Sequence, residues 1–553
     1  MPKLTIDNVE VDVPEGTNVL EAAKHVGVVI PHFCYHPALG SVGACRLCAM
    51  KFLDGPVKGV QMSCMIKAQD GMVVSTTDGE AAQLRKLVIE WLMTNHPHDC
   101  PVCDEGGECL LQDYTIAGGH GIRRFKGKKR TFLNQDLGPY IRHEMNRCIE
   151  CYRCARFYQE YAGGSDFGVL GSAGRVYFGR FSDGAFDSPF SGNLTDICPT
   201  GVFTDNTARY RARYWDYDMA PSVCPGCGLG CNVTPVARYR ELLKIVPKEN
   251  HQVNRWFICD RGRFDKSVNS PDRPRTPRVA GEPTPTGEAL QALAGEIRSG
   301  AAAGRRLLLA GSPRLSLEGM LLLADLARQT GGTLSLFSTA EEQERTVAAV
   351  EGILLGKGIS LAALEELDFV AVHGADLMEE APMAALAIRQ AWRKGAKVIL
   401  SDSSSAGLPF PTETFAHIAE ACAGGCRRQA IVFGTRRNSA SAIRSLARMG
   451  DALFPVLPSP NSFAAAFLAM TREAVPLEEA VKGDPLLVCF EADLPHEAPA
   501  PLAAADWKQT PCTDAARILL PAAAFTECDG TFVNGEGRAQ RFRKVYEPGL
   551  PLR

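Results

Sequence analysis

The sequence feature that most constrains what this chain can fold into is the uneven placement of its cysteines. Fifteen of the 20 lie between Cys34 and Cys259, most of them in C-x2-C or C-x3-C spacing, and five follow. The start, MPKLTIDNVEVDV, lacks the long apolar core and small-residue cleavage site of a signal peptide. We therefore expect a cytosolic chain, in which closely spaced cysteines indicate metal or redox chemistry, and a secreted disulfide scaffold is disfavoured.

Length and composition set broad limits. A chain of 553 residues should form several domains, because single hydrophobic cores stop growing well below that length. The net charge of -3 gives no case for binding nucleic acid or an anionic membrane surface. No apolar run reaches the ~18 residues that a membrane-spanning helix needs.

The first ligand set follows a predicted hairpin and helix. The segment LTIDNVEVDV should form the hairpin with Asp7 and Asn8 in its turn, and Asn18 should cap the short helix NVLEAAKHVGV. Hairpin, helix and cysteine loop is the order of the plant-type [2Fe–2S] ferredoxin fold, although the spacing C-x10-C-x2-C-x15-C differs from the plant pattern. The predicted ligands are Cys34, Cys45, Cys48 and Cys64.

The second set holds three cysteines and needs a fourth donor. The apolar spacing of QLRKLVIEWLMTNH predicts a helix that ends near His96, because Pro97 disfavours helical geometry at the residue before it. His96 should then lie beside the cysteine turn, whereas His98 should point elsewhere. On spacing alone, iron–sulfur and zinc fit equally. The predicted ligands are His96, Cys100, Cys103 and Cys109.

Two further sets indicate [4Fe–4S] clusters. The third combines C-x2-C-x2-C with a remote Cys-Pro, which is the bacterial ferredoxin signature, and its ligands are Cys148, Cys151, Cys154 and Cys198. The fourth has the spacing C-x2-C-x3-C-x27-C in a glycine-rich loop, for which a zinc ribbon is the alternative, and its ligands are Cys224, Cys227, Cys231 and Cys259. Fifteen cysteines and His96 make sixteen ligands, enough for one [2Fe–2S] and three [4Fe–4S] clusters. The basic segment RRFKGKKR, 123–130, fits either a solvated loop or a partner-docking segment.

In this order, the four sets closely resemble those of the 75 kDa subunit family of NADH–quinone oxidoreductase, the respiratory complex I, in which the bacterial member is called the G subunit. The resemblance covers at least residues 1–265. It implies that His96 ligates a [4Fe–4S] cluster rather than zinc. It also implies that the fourth cluster, which only some members carry, lies off the main electron path.

The second half alternates strand-like and helical segments, which predicts a parallel α/β region. The expected strands are 306–311, 369–374, 396–402, 429–434 and 486–493. This half resembles the molybdopterin oxidoreductases through a Ser-x-Arg…Glu segment near 310–328 and a late motif at 519–540. No cysteine occurs between Cys259 and Cys422, where formate dehydrogenases of this family have a catalytic cysteine or selenocysteine, and we expect the family's last domain to be absent. We therefore expect a vestigial fold without molybdopterin, with the remaining cysteines as mostly buried free thiols. These are Cys422, Cys426, Cys489, Cys512 and Cys528.

The expected fold is multidomain, α+β and then α/β: a [2Fe–2S] ferredoxin-like (β-grasp) domain, an iron–sulfur domain with one His and three Cys ligands, a bacterial-ferredoxin-like domain, and two molybdopterin-oxidoreductase-like regions. The [2Fe–2S] domain is predicted at 1–78, the domain with one His and three Cys ligands at 79–120, and the bacterial-ferredoxin-like domain at 121–216. The molybdopterin-oxidoreductase-type [4Fe–4S] region is predicted at 217–272, a linker at 273–286, and the vestigial α/β region with its parallel sheet at 287–553.

The resemblance implies an electron relay, without catalytic residues of its own, in the peripheral arm of the complex. Electrons would enter from an NADH- and FMN-binding subunit and leave to a second iron–sulfur subunit and then quinone. The chain would lie on the cytoplasmic side and meet the membrane only through partner subunits, with no nucleic-acid partner. The alternatives are the Mo/W subunit of an NAD-linked formate dehydrogenase, the electron-transfer subunit of an NAD-reducing hydrogenase, and a zinc-binding scaffold.

Overall fold

The structure, a computed structural model, describes residues 1–401, 407–414, 428–472, 474–494 and 498–548. The chain divides into two compact units, Met1–Asp216 and Tyr217–Arg553. Within the described part of the chain, no helix is long and apolar enough to span a membrane. The finer domain bounds remain predictions.

The first unit begins with the predicted hairpin and helix. Asp7 and Asn8 take the left-handed backbone of a tight turn, with φ of 46° and 69°. The Asn18 side chain accepts a hydrogen bond from the Glu21 N–H at 2.8 Å, which confirms it as the N-cap of the helix Val19–His25. The first strand pairs antiparallel with its hairpin partner and parallel with a later strand. In order across the sheet, its described strands are Val9–Asp12, Lys3–Ile6, Val73–Ser75, Ala49–Asp54 and Gly59–Met62.

The helix before the second ligand set spans Gly79–Leu92, so it ends before the predicted position near His96. Beyond Leu92, the Thr94 hydroxyl and N–H both donate to the Trp91 carbonyl, at 2.7 and 3.1 Å, and the His96 N–H donates to the Leu92 carbonyl at 3.4 Å, directly before Pro97. Its buried residues are Ala81, Val88 and Ile89, whereas Trp91, which the apolar spacing included, is 56% exposed.

The rest of the first unit consists of short elements joined by loops. Its antiparallel strand pairs are Ile141–His143 with Phe203–Asp205 and Phe167–Leu170 with Tyr177–Arg180. Its further helical segments are Cys100–Val102, Leu110–Ala117, Met145–Arg147, Arg153–Ala155, Arg156–Tyr161, Ala173–Arg175, Asn193–Ile197 and Tyr214–Asp216. The second and third ligand sets lie on these short elements and the loops between them.

The second unit begins with a small antiparallel sheet that carries the fourth ligand set at its end. The sheet strands are Asp218–Met219, Ser222–Val223, Asn232–Arg238 and Glu241–Pro247. The helix Asp260–Phe264 follows directly after Cys259.

The five predicted strands of the second half are all present, and they belong to two sheets. In order, the described strands of the first sheet are Glu282–Pro283, Arg278–Val279, Ile518–Pro521, Ala503–Asp506, Leu486–Phe490, Leu307–Ala310 and Thr333–Ser335. Those of the second are Glu413–Thr414, Lys397–Leu400, Phe369–His373, Gln429–Gly434 and Leu453–Val456. Both sheets are parallel except where 278–283 joins the first.

Helices and a hairpin complete the second unit. The described helical segments are Ser267–Asn269, Thr286–Ala302, Leu317–Thr330, Ala340–Gly352, Ile353–Lys357, Ala363–Glu366, Leu377–Glu380, Pro382–Arg393, Ala440–Met449, Ser462–Arg472, Leu477–Ala480 and Pro511–Ala515. The hairpin pairs Gly530–Val533 with Ala539–Phe542.

The segment 273–286, predicted as a linker, contributes two short strands to the first of these sheets. At its start, the buried Arg273 forms a fork with the buried carboxylate of Glu527, with Nη1 2.9 Å from Oε1. Breaking such a pair would leave an uncompensated buried charge, so this contact holds the segment against the late motif.

Of the five later cysteines, Cys489 and Cys512 are buried, with their thiols hydrogen-bonded to each other, and Cys528 is half-buried. Cys422 and Cys426 lie outside the described residues.

Candidate metal centres

Site 1 comprises Cys34, Cys45, Cys48 and Cys64, and all four side chains are buried in mutual contact. Hydrogen bonds from the Cys45 and Cys64 thiols lower the pKa of Cys34 to about 2, and a bond from Cys64 lowers the pKa of Cys48 to about 7. The structure thus brings together four sulfurs, with the anionic form stabilised at two of them. That arrangement fits a group held by thiolates.

The loop around site 1 turns backbone N–H groups toward sulfur. The Phe33 N–H donates to Cys45 Sγ at 3.4 Å. Gly43 and Arg46 have φ of 68° and 58°, so the loop depends on left-handed backbone at both residues. N–H···S bonds of this kind stabilise charge on a cluster and tune its potential.

Site 2 comprises His96, Cys100, Cys103 and Cys109, which line one cavity of about 480 Å³. His96 is 8% exposed, and burial lowers its pKa to about 4, so the imidazole is neutral at pH 7. Its Nδ1 is buried and, within the described part of the chain, has no hydrogen-bond partner. A neutral imidazole with an unsatisfied nitrogen is what ligation requires. His98 also lines this cavity, against expectation, but on its exposed side.

The remaining donors of site 2 are thiols in a mostly apolar setting. Burial raises the pKa of Cys103 to about 11 and that of Cys109 to about 12. Thiols of this kind become thiolates when a cation lies among them, so the donor set fits a metal cluster. The basic segment 123–130 contacts this site, because the Lys129 ammonium donates to the His96 carbonyl.

Site 3 comprises Cys148, Cys151, Cys154 and Cys198, which line one small cavity. Its loop depends on two non-glycine residues in left-handed backbone, Glu150 and Tyr152, with φ of 53° and 64°. That geometry lets the Glu150 N–H donate to Cys148 Sγ at 3.3 Å. Burial raises the pKa of Cys151 to about 12, so this set too needs a cation to become thiolates.

Sites 1, 2 and 3 meet in the first unit. Cys34, Cys45, Cys109 and Cys151 belong to one apolar cluster. The chain after Cys198 reaches site 2, because the Cys109 thiol lies 3.9 Å from the Pro199 carbonyl.

Gly201 makes this approach possible. A Cβ on Gly201 would lie 2.8 Å from Cys103 Sγ and 3.3 Å from Arg147 Cδ, so there is no room for a side chain. The sequence drew no attention to this glycine.

Site 4, in the second unit, comprises Cys224, Cys227, Cys231 and Cys259, which are buried around one small cavity. Burial raises the pKa of Cys259 to about 11. The Gly226 N–H donates to Cys224 Sγ at 3.4 Å, and a Cβ on Gly262 would lie 2.7 Å from the same sulfur. The close backbone approach predicted for this loop is therefore present.

A separate cavity of about 140 Å³ lies beside Cys224 in the second unit. The predicted late motif lines part of it through Phe525, Cys528 and Phe532, and Arg314 lies on another side. Burial raises the pKa of Glu491 in this cavity to about 7. A cavity thus exists where the molybdopterin resemblance points.

Each of the four predicted sets is brought together in the structure. Among the described residues, no group of three or more His, Cys, Asp or Glu side chains is arranged to hold a single metal ion. Sequence reasoning missed Arg147 and Arg153, although each is adjacent in the chain to a predicted ligand of site 3.

Five family models match segments of the chain. A 2Fe-2S iron-sulfur cluster binding domain matches 2–79, the NADH-ubiquinone oxidoreductase-G iron-sulfur binding region 85–124, and the ferredoxin-like domain of NADH-quinone oxidoreductase subunit 3 matches 138–204. The molybdopterin oxidoreductase Fe4S4 domain matches 218–268, and the molybdopterin oxidoreductase model matches 505–551.

Similar proteins are found along nearly the whole chain. The proteins named as the G subunit of NADH-quinone oxidoreductase in Pseudomonas fluorescens, Pseudomonas putida and Escherichia coli K12 are each 39% identical, over 99% of this chain and 70% of their own length. The crystal structure of an NAD⁺-reducing [NiFe]-hydrogenase in the H2-reduced state is similar over 38% of this chain and 90% of its own, with 28% identity and a TM-score of 0.35. By identity and coverage together, the chain belongs to the G-subunit family of NADH-quinone oxidoreductase.

Proposed function

We propose that this chain is an electron relay of an NADH–quinone oxidoreductase, with a [2Fe–2S] cluster at site 1 and [4Fe–4S] clusters at sites 2, 3 and 4. Such clusters, when bound, accept and donate single electrons. The observation that carries the proposal is one apolar cluster of the first unit that contains ligands from three sets: Cys34 and Cys45 of site 1, Cys109 of site 2 and Cys151 of site 3. The chain's own residues hold the clusters, exclude water and supply N–H···S bonds.

The contacts between sites support an order for the relay. Site 3 adjoins site 2 through the segment Cys198–Gly201, and it adjoins site 1 through the Arg153 guanidinium, which donates to the Tyr35 carbonyl next to Cys34. We infer that electrons pass from site 1 through site 3 to site 2, which is not the order of the sites along the chain.

Partners complete the proposed path. An NADH- and FMN-binding flavoprotein subunit would supply electrons, and a second iron–sulfur subunit would carry them toward quinone. The chain would then act within a hetero-oligomeric complex on the cytoplasmic side of the membrane, which it would meet only through partner subunits.

A second candidate function is a Mo- or W-containing formate dehydrogenase. The observation that favours it is the cavity beside Cys224, which the late motif 519–540 partly lines. Arg314 and Glu491 would supply its polar contacts.

Elemental analysis of the anaerobically purified chain, in its complex, tests both functions. We expect about 14 iron atoms per chain, from one two-iron and three four-iron clusters, and neither Mo nor W. Stoichiometric Mo or W would favour the second candidate. About four fewer iron atoms with one zinc would make one of the sets structural, and site 4 is then the first to test.

His96→Cys should lower the midpoint potential of the site 2 cluster. The substitution replaces a neutral donor with an anionic thiolate, which disfavours the addition of an electron, as the higher potentials of histidine-ligated Rieske centres illustrate. The measurement is a redox titration followed by electron paramagnetic resonance (EPR).

His98→Cys is the matched control, because His98 lines the same cavity from its exposed side, and it should leave this potential unchanged. An unchanged or higher potential in His96→Cys would contradict the assignment of His96 as ligand.

A further inference from the structure

We propose that two buried arginines set the potentials at the two junctions of site 3: Arg147 acts on the site 2 cluster and Arg153 on the site 1 cluster. This inference rests on the proposed function, because it assumes that the sites hold redox-active clusters. Both are positioning residues, since they act on the clusters through charge and through the segments that they hold.

Arg147 stands between sites 2 and 3. It directly precedes Cys148 of site 3, lines the cavity of site 2 and is 6% exposed. Its Cδ lies 3.3 Å from the position of a Cβ on Gly201, and Cys103 Sγ lies 2.8 Å from the same point. The guanidinium is therefore a close neighbour of a site 2 ligand.

A network of hydrogen bonds holds Arg147 in place. Its Nη1 and Nη2 donate to the two carboxylate oxygens of Asp99, at 2.6 and 3.2 Å, and its Nε donates to Glu144 at 2.9 Å. Its carbonyl accepts from the Thr200 hydroxyl at 3.1 Å. The side chain of Arg147 thus ties the loop of site 2 to Glu144, and its backbone carbonyl holds the segment after Cys198.

Arg153 has the corresponding place between sites 1 and 3. It lies between Cys151 and Cys154 in the chain, is 6% exposed, and donates to the carbonyl of Tyr35, the neighbour of Cys34. Its Nε is buried and makes no hydrogen bond to any described residue. Negative charge on a nearby reduced cluster would stabilise this buried guanidinium.

The physical effect follows from charge. Reduction of a cluster adds one negative charge, and a cation a few ångströms away in a poorly screened interior stabilises the reduced form. A guanidinium stays protonated at all physiological pH values, so its contribution does not titrate away. Each arginine should raise the potentials of the two clusters that it separates and leave the third cluster of the unit nearly unaffected.

The test is EPR-monitored redox titration of the intact complex carrying Arg147→Gln or Arg153→Gln. The signal of each site is identified beforehand by its loss in a ligand variant, such as Cys103→Ser for site 2. In Arg147→Gln we expect the reduced-to-oxidised ratio of site 2, at a fixed potential, to fall about tenfold, which is a shift of about 59 mV for one electron. Site 1 should not move. In Arg153→Gln, site 1 should shift and site 2 should not, and site 3 should shift in both.

Lysine variants separate charge from structure. Arg147→Lys keeps the charge and loses the fork, so its site 2 potential should stay near the wild-type value. The exposed Arg142→Gln is the matched control and should change none of the three potentials.

Equal shifts at all three sites, or the same shift in the Lys and Gln variants, would overturn the proposal. If Arg147→Gln loses the site 2 cluster, the proposal is tested with Arg147→Lys alone. A shifted site 2 potential in Arg147→Lys, which keeps the positive charge, would contradict a charge effect. Failure of the proposed function would look different: the wild-type complex itself would lack iron and EPR signals.

Discussion

Cys151→Ala should abolish electron transfer from NADH to quinone and remove about four iron atoms per chain. Cys151 lies in the apolar cluster that also contains Cys34, Cys45 and Cys109, so the loss would interrupt the proposed path between sites 1 and 2. We expect activity to fall by more than about 100-fold, beyond the loss typical of changes outside the first ligand sphere. Quinone reduction by the purified complex, with iron content and the EPR signal of site 3, gives the measurement.

Cys512→Ala is the matched control. Cys512 is a buried free thiol, hydrogen-bonded to Cys489 and outside all four sets, so its replacement should keep iron content and quinone reduction near the wild-type values. Wild-type iron content in Cys151→Ala would show that site 3 is not held by this cysteine. Lost iron with intact quinone reduction would take site 3 off the electron path.

Gly201→Ala should remove the site 2 cluster while leaving sites 1 and 4 loaded. The new Cβ would lie 2.8 Å from Cys103 Sγ, closer than such atoms approach in proteins, and 3.0 Å from Glu105 Cβ, which is a tight contact. The chain cannot move away easily, because the Thr200 hydroxyl, one residue before, is bonded to the Arg147 carbonyl. Iron content should fall by about four atoms, and the EPR signal of site 2 should disappear.

Gly121→Ala provides the comparison for this variant. Gly121 lines the same cavity, yet a Cβ there would meet nothing within 4 Å, so the substitution should leave iron content and the site 2 signal intact. A Gly201→Ala variant with a full complement of iron and an unchanged site 2 signal would show that the loop adapts without displacing the ligand.

The four sites share buried sulfur donors but differ in their local chemistry. Their sulfurs are mostly buried, and sites 1, 3 and 4 each show a backbone N–H directed at a ligand sulfur. Site 2 differs because a neutral, buried imidazole replaces one thiol, and because charged side chains such as Arg147 line its cavity.

Much of the site could be predicted because its signals are local. The turn at Asp7 and Asn8, the cap at Asn18 and the C-x2-C spacings each depend on residues a few positions apart, and the structure shows the turn, the cap and the grouping of each cysteine set. His96 was chosen over His98 from the same kind of signal, through Pro97. The regular helix ends at Leu92, before the predicted position, although the His96 N–H, directly before Pro97, still bonds the Leu92 carbonyl.

What remained hidden depends on residues far apart in the chain. The sequence by itself determined which cysteines group together and where the strands of the second half lie, because spacing and hydrophobic pattern are properties of short segments. Only the tertiary structure decided that those strands form two sheets, that 273–286 joins one of them, and that the chain after Cys198 packs against Cys103. The roles inferred for Gly201, Arg147 and Arg153 arise from such contacts, in which the space and charge around a residue are set by segments that local patterns cannot bring together.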